Sequence, residues 1–228
     1  MGIEDVSGPP QGRLSGETVV LVHGLWMVGL ELLPLAWRLR RQGFRCRLHP
    51  YASTRRSSRA NAERLADRMV ALGPGPVHVI AHSYGGLVAL RCLALPRALP
   101  PGRVVLLGVP VNGSAPARRL AAHRWLRRWF GHSLEGGLLG GAPRQVGGRE
   151  VAVVAGDLPL GLGGWVARFQ EPHDGTVAVS ETQLDGATDR LVARVSHFGL
   201  LFSPRVTEAV ARFLRTGRLR FDTPSGAG

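Results

Sequence analysis

Ser83 has the sequence surroundings of a serine that acts as a nucleophile. It lies in the run Ala81-His82-Ser83-Tyr84-Gly85, with a β-branched apolar run before it and a helical pattern after it. This is the sequence form of a sharp strand-to-helix turn that presents a serine at its tip. Ala81 stands where the usual pattern has glycine, so the match is looser. The competing interpretation is a plain tight turn.

A serine hydroxyl is a weak nucleophile at neutral pH and needs a base, which a buried carboxylate usually orients. In folds with such a turn the chain order is serine, acid, histidine. We interpret His197, just past the last predicted strand, as the base. Asp174, in an Asp-Gly turn, is the favoured acid, and Asp157, close after an earlier strand, is the alternative. Either carboxylate can instead be a turn residue that binds its own backbone.

Two backbone N–H groups are needed to stabilise the oxyanion that forms during acyl transfer. We expect one from Tyr84, the residue after the nucleophile, and one from Leu25 in the run His23-Gly24-Leu25 that follows the first strand. His23 is interpreted as a brace for this loop. The sequence has no metal-ligand spacing and no glycine-rich phosphate loop, so we expect no metal and no cofactor.

The elements around these residues predict an α/β fold with a mostly parallel central sheet. Apolar runs typical of buried strands alternate with helical patterns, which predicts helices on both faces of the sheet. The predicted strands cover residues 18–22, 44–48, 77–80, 103–107, 151–155 and 191–195. Sites in such sheets form at the carboxyl ends of the strands, where the candidate residues gather. We expect residues 1–16 to be a flexible arm, 17–220 a single domain and 221–228 a disordered tail.

The segment 115–149 interrupts this alternation. In residues 115–130 apolar side chains that include Trp125 and Trp129 fall on one face of a predicted helix, and arginines fall on another. Residues 131–149 are dense in glycine. This pattern predicts an amphipathic helix on a tether that acts as a lid. A fixed surface helix that packs its tryptophans on the core is the alternative.

The charge is strongly basic, with a net charge of +13 in which every basic residue is arginine. Such a charge attracts anionic partners, so weak association with anionic membrane surfaces is one expectation. No recognisable motif for specific nucleic-acid binding is present. The acidic, polar start of the chain is unlike a signal peptide, and we expect a cytoplasmic protein.

Taken together, the motifs resemble the α/β-hydrolase superfamily in its small bacterial serine esterase/lipase branch. The resemblance rests on His23-Gly24-Leu25-Trp26, the run around Ser83, Asp174-Gly175-Thr176-Val177 and His197, and also on residues 108–114. It implies a three-layer α/β-hydrolase fold with eight strands, against the six counted in the pattern.

The hypothesis is therefore a serine hydrolase that cleaves small-molecule or lipid carboxylic esters through an acyl-Ser83 intermediate. Apolar side chains are expected to line the acyl pocket: Trp26, Trp125, Trp129, Leu138 and Leu139. Two alternatives stay open. One is a thioesterase, amidase or acyltransferase on the same fold, and the other is a basic protein that binds membranes or nucleic acid.

Overall fold

The computed structural model describes residues 16–220. The predicted arm before residue 16 and the predicted tail 221–228 lie outside the described residues. The strands are β1 Thr18–Val22, β2 Arg45–His49, β3 Val77–His82, β4 Val104–Leu107, β5 Val151–Gly156 and β6 Asp189–Ala193. The helices are α1 Leu33–Arg41, α2 Ser58–Ala71, α3 Tyr84–Leu93, α4 Ala115–Ala121, α5 Arg124–Phe130, α6 Leu162–Ala167, α7 Gly199–Phe202 and α8 Pro204–Thr216.

The six strands form one sheet in the order β2-β1-β3-β4-β5-β6, and every neighbouring pair is parallel. The predicted parallel α/β architecture is confirmed, with strand ends within two residues of those expected. Because the strands are parallel, the loops that follow β1, β3, β4 and β5 leave the sheet at one edge. The chain order reverses at β1, and this places β1, β3 and β4 side by side at its centre.

Successive residues of the central strands contribute to two separate hydrophobic cores, as the two-residue period of a strand requires. Val20 and Val79 pack on one face with α2 and α3, whereas Leu21 and Ile80 pack on the other with α1 and α8. Both faces of β3 are therefore buried, and it carries no polar side chain except its histidines. The result is three layers, with the sheet between two layers of helices.

The segment between β4 and β5 differs from its prediction. Instead of one helix over residues 115–130, it contains α4 and α5, separated at Ala122 and His123. Ser114 begins α4 by accepting a hydrogen bond from the Ala117 N–H, whereas α5 has no side-chain cap. His123, between the two helices, has an extended backbone with φ −91° and ψ 118°, so one helical pattern does not run through both.

Among the described residues, no helix is long and apolar enough to cross a membrane. Both cysteines are buried and unpaired, and burial raises the pKa of the Cys46 thiol to about 11 and that of the Cys92 thiol to about 12. Thiols with such high pKa values are poor nucleophiles at neutral pH.

Gly85 lies where α3 crosses closest to β1, and this contact yields a stability prediction. A Cβ at Gly85 would lie 2.2 Å from the His23 carbonyl oxygen, whereas one at Gly75 meets nothing within 4 Å. Neither glycine has a positive φ, so the pair isolates the steric effect. We expect Gly85→Ala to cost at least about 3 kcal/mol, a fall in Tm of roughly 6–12 °C, and Gly75→Ala to change little. Thermal unfolding measures both, and equal Tm values for the two variants would contradict the packing argument.

Candidate active site

Ser83 occupies the turn between β3 and α3 in a strained backbone conformation. Its φ is 53° and its ψ is −130°, and its N–H donates to the Leu107 carbonyl at 2.9 Å. A non-glycine residue in this region costs about 1–3 kcal/mol and persists only where its surroundings impose it. Here the surroundings are Gly85 against β1 and Gly86, where a Cβ would lie 2.2 Å from Val109. The turn therefore holds the serine at the carboxyl edge of the sheet and at the N-terminus of α3.

His197 and Asp174 form a buried pair on the loops that follow β6 and β5. The Nδ1 atom of His197 lies 2.6 Å from Oδ2 of Asp174, and the two residues are 4% and 1% exposed. The other carboxylate oxygen of Asp174 accepts the N–H groups of Thr176 and Val177, at 2.9 and 2.7 Å. The His197 N–H donates to the Asp174 carbonyl. These bonds orient the carboxylate toward the imidazole ring of His197. Because Nδ1 faces Asp174, Nε2 on the other side of the ring points away from it.

Asp157, the alternative acid, does not contact His197. Its Oδ1 lies 3.9 Å from the Arg194 guanidinium, and its N–H donates to the Ala193 carbonyl. The backbone at Gly156 explains the difference. A Cβ there would lie 2.8 Å from Cβ of Asp174, so the end of β5 packs directly on Asp174 while Asp157 turns toward β6.

Ser83 and His197 both line one cavity at the carboxyl edge of the sheet. In the part of the chain that the structure describes, no hydrogen bond joins their side chains, a common finding where substrate is absent. Two contacts place them close together. Ser83 binds the Leu107 carbonyl, and the next residue, Gly108, lies against the imidazole, because a Cβ there would be 3.0 Å from its Nδ1.

His82 is a site residue that the sequence reasoning missed. It is fully buried beneath His197, with the two ring centroids 4.6 Å apart, and its Nε2 lies 3.1 Å from the His197 carbonyl oxygen. Because a carbonyl only accepts, Nε2 carries the proton in this contact. Burial holds the pKa of His82 well below its usual value, so the ring is neutral. Its position directly before Ser83 in the sequence is the signal that could have identified it as a site residue.

The N–H groups of Leu25 and Tyr84 are the two expected oxyanion donors. Tyr84 is the first residue of α3, where an N–H has no partner within the helix. No described residue accepts a hydrogen bond from either amide. A Cβ at Gly24 would lie 3.3 Å from Cβ of Ser83, so the loop that carries Leu25 packs against the serine. Both donors lie on segments that contact Ser83.

The loop after β1 is held by contacts from β2 and the segment that follows it. Tyr51 stacks on the His23 ring at 4.2 Å and donates its hydroxyl to the His23 carbonyl at 2.8 Å. The Trp26 N–H donates to Oγ of Ser53, and Trp26 itself has a strained φ of 58°. Burial lowers the pKa of His23, which favours the neutral ring. His23 therefore lies within this brace, as the sequence reasoning expected of its position.

The cavity beside Ser83 has a volume of about 300 Å³ and walls that are mostly apolar. Of the five predicted wall residues, Trp26 and Leu138 line it. The prediction is wrong for Trp125, Trp129 and Leu139, which are absent from the wall. The wall is completed by residues that the sequence analysis did not name: Pro110, Ala117, Leu120, Phe130, Val166 and Phe198.

The misplacement of Trp125 and Trp129 has a simple geometric reason. Leu126 and Phe130 turn the inner side of α5 toward the protein, and Phe130 is buried. The two tryptophans lie on the adjacent side of the same helix and are 67% and 70% exposed. The apolar side chains of α5 cover a wider part of the helix than the neighbouring protein surface can bury. Only the side that carries Phe130 is therefore buried.

Glu181 is a second residue that the sequence analysis missed, and it connects the acid loop to α4. Its carboxylate accepts the N–H groups of Ala115 and Ala178 and lies 3.5 Å from the Arg118 guanidinium. Burial raises its pKa, while these donors oppose the shift. The carboxylate thus ties the start of α4, which forms part of the cavity wall, to the loop that presents Asp174.

Within residues 16–220, no group of three or more His, Cys, Asp or Glu side chains is arranged to hold a metal ion. The polar groups that meet at the cavity are a hydroxyl, an imidazole paired with a carboxylate, and two backbone amides. Groups of these kinds can carry out nucleophilic acyl transfer, in which the hydroxyl attacks a carbonyl and the imidazole moves the proton.

Comparison with known proteins agrees with this architecture. A family model described as the alpha/beta hydrolase family matches residues 19–225. The lipase BlEst2 from Bacillus licheniformis, solved in its propeptide form, has a TM-score of 0.69 and 20% identity. That match covers 81% of this chain and 47% of the lipase, so the chain spans about half the length of that protein.

Two further solved structures are similar over most of this chain. A metagenomic carboxyl esterase has a TM-score of 0.63 and 17% identity over 93% of this chain and 82% of its own. Phospholipase PlaB from Legionella pneumophila has a TM-score of 0.59 and 16% identity over 91% and 60%. No curated protein sequence matches this chain. Identities this low indicate a shared fold, and the chemistry has to be argued from the site.

Proposed function

Because this chain belongs to the alpha/beta hydrolase family, we propose that it is a serine hydrolase that cleaves carboxylic esters through an acyl intermediate on Ser83. The observation that carries the proposal is the buried contact of 2.6 Å between His197 and Asp174, beside a cavity that Ser83 also lines. A carboxylate held in this way fixes the imidazole tautomer and stabilises the imidazolium that forms.

In the first half of the reaction, Oγ of Ser83 forms a bond to the ester carbonyl carbon while Nε2 of His197 takes the hydroxyl proton. The oxyanion is bound by the N–H groups of Leu25 and Tyr84, each of which contributes about 3–4 kcal/mol to the transition state. The bond to the alkoxide then breaks, and His197 returns the proton to the departing alcohol. Water repeats the sequence on the acyl-enzyme and releases the acid.

The cavity suggests the kind of acyl group. A volume of about 300 Å³ has room for several methylene groups, because a water molecule occupies about 30 Å³ in the liquid and a methylene group is of similar size. Walls such as Leu120 and Phe130 offer no hydrogen-bond partner to a polar chain. We therefore assign medium-length apolar acyl esters as the preferred substrates.

This assignment predicts an acyl-chain profile. Among nitrophenyl butanoate, octanoate, dodecanoate and hexadecanoate, kcat/KM is expected to be highest for octanoate, because longer chains exceed the cavity. Ala117→Leu, which adds three carbons to the wall, is expected to shift the optimum to butanoate. The exposed substitution Ala71→Leu is the matched control. A profile that rises through hexadecanoate, or one that Ala117→Leu leaves unchanged, would place the acyl chain elsewhere.

The same assay separates ester hydrolysis from the alternative acyl transfers. The measurement is kcat/KM for an octanoyl thioester and an octanoyl amide, compared with that for the octanoyl ester. The comparison shows whether the enzyme prefers oxygen, sulfur or nitrogen as the leaving atom. We expect the ester to be cleaved fastest. A thioester or amide with a higher kcat/KM would redirect the proposal to that bond while keeping the roles of Ser83 and His197.

A further inference from the structure

Helix α5 exposes two tryptophans that nothing in the described part of the chain covers. Trp125 and Trp129 are 67% and 70% exposed and lie one helical turn apart. A soluble surface seldom presents two large indoles side by side, because their burial is favourable. Such a pair indicates a surface that contacts something else.

Helix α5 carries three arginines, and two of them lie beside these tryptophans. Arg124, Arg127 and Arg128 are exposed, and none forms an ion pair with a carboxylate among the described residues. On a helix with 3.6 residues per turn, Arg124 and Arg128 form a stripe that borders the tryptophan stripe on the side away from Leu126 and Phe130, whereas Arg127 lies on the side of the helix opposite the tryptophans. One flat surface laid on α5 therefore meets both stripes at once. We name these four residues, Arg124, Trp125, Arg128 and Trp129, the α5 surface.

The α5 surface adjoins the mouth of the cavity. Trp26, which lines the cavity and is 57% exposed, donates its indole N–H to the Trp129 carbonyl at 2.9 Å. Its ring also packs on Phe130 at 4.9 Å, and Phe130 is buried in the cavity wall. On the opposite side, Phe198 lines the cavity and is half exposed. The apolar rim of the mouth is thus continuous with α5.

We propose that the α5 surface docks the protein on anionic lipid membranes, with the mouth of the cavity facing the lipid. Indoles favour the headgroup boundary, where one part of the ring is apolar and the N–H is hydrated. Arginines on the same side pair with lipid phosphates and with the negative surface potential. The helix lies along the surface and does not cross it, as an amphipathic interfacial segment does.

A membrane fits these observations better than a nucleic acid. Both partners attract arginines, and single-stranded bases stack on exposed aromatic rings. The α5 surface, however, is continuous with an apolar cavity wide enough for an acyl chain, a feature that lipid uses and nucleic acid does not. Nucleic-acid binding is therefore an outcome that the experiment has to detect.

The test is co-sedimentation of the full chain with sucrose-loaded vesicles of phosphatidylcholine, with or without one-third phosphatidylglycerol. Measurements on the Ser83→Ala background prevent ester cleavage from altering the vesicles. We expect binding to the anionic vesicles at low salt that weakens at high salt. Arg124→Gln with Arg128→Gln should lower the partition coefficient about 30-fold, and Trp125→Ala with Trp129→Ala about tenfold or more.

The matched control removes the same charge elsewhere. The double variant of Arg68→Gln and Arg205→Gln changes exposed arginines on α2 and α8, and its binding should fall less than about threefold. Equal losses in the two double arginine variants would overturn the proposal, because binding would then follow net charge alone. Circular dichroism establishes that each variant is folded.

Two other outcomes would also overturn it. One is binding to phosphatidylcholine alone that the α5 variants leave unchanged. The other is tighter binding to single-stranded DNA than to anionic vesicles, with the same dependence on the α5 residues. This inference rests on the proposed function in one respect, which is the role of the cavity as the acyl-binding site that faces the membrane. If the parent protein cleaves soluble esters but does not bind anionic vesicles, the docking proposal is refuted. If it binds these vesicles through the α5 surface but cleaves no ester, the hydrolase proposal is refuted.

Discussion

Ser83→Ala is expected to lower kcat/KM for nitrophenyl octanoate by about 10⁵-fold or more, because it removes the atom that attacks the carbonyl. What activity remains would come from the amides of Leu25 and Tyr84 and from binding in the cavity. Alanine keeps the size of the residue, so the strained turn at φ 53° is preserved. Thermal unfolding should show a Tm close to that of the parent protein.

A fluorophosphonate probe gives a second readout of the same prediction. The parent protein should gain the mass of one probe, and Ser83→Ala should gain none. Ser180→Ala is the matched control, since Ser180 lies outside the cavity and its hydroxyl makes no hydrogen bond among the described residues. It should retain both activity and labelling. Unchanged turnover in Ser83→Ala would refute the proposed nucleophile.

Asp174→Asn is expected to lower kcat/KM by about 10⁴-fold, because an amide in place of the carboxylate favours the wrong imidazole tautomer and does not stabilise the imidazolium. The asparagine can still accept the N–H groups of Thr176 and Val177 through its remaining oxygen. The loop should therefore keep its shape, and the loss should appear mainly in kcat.

Asp157→Asn is the matched control for this second prediction. Asp157 directly follows β5, in the segment between β5 and β6 that also contains Asp174. Its carboxylate, however, faces Arg194 and not His197. We expect its kcat/KM to stay within about threefold of the parent value, as is usual for a partly exposed ion pair. If Asp157→Asn were the inactive variant and Asp174→Asn the active one, the acid would have to be reassigned.

Local sequence patterns were enough to predict the turn around Ser83 and the parallel sheet. The β-branched run that ends at Ile80, the small residues at 81 and 85 and the helical pattern from Tyr84 all act over neighbouring positions. Ser203 followed by Pro204 is likewise a local signal for a helix start, and α8 begins there, with the Ser203 side chain accepting a hydrogen bond from the Val206 N–H. Such features depend on backbone geometry and near neighbours, so one sequence is sufficient to recognise them.

Contacts between distant segments could not be predicted in the same way. The sequence favoured Asp174 but left Asp157 open, and the tertiary structure decided which carboxylate contacts His197, through the packing of Gly156 on Asp174. It also placed His82 under His197. His82 and His197 are separated by more than a hundred positions, and Asp174 and His197 lie on two different loops. No local pattern in the sequence specifies the distances between such residues.

What the sequence alone determined is the order of the elements and the kinds of side chains at the carboxyl edge of the sheet, because hydrophobic period and turn chemistry act locally. What only the tertiary structure decided is which apolar side chains the body of the protein has room to cover. An amphipathic pattern marks one side of α5 as apolar. The extent of the neighbouring surface determines that Phe130 is buried while Trp125 and Trp129 remain exposed.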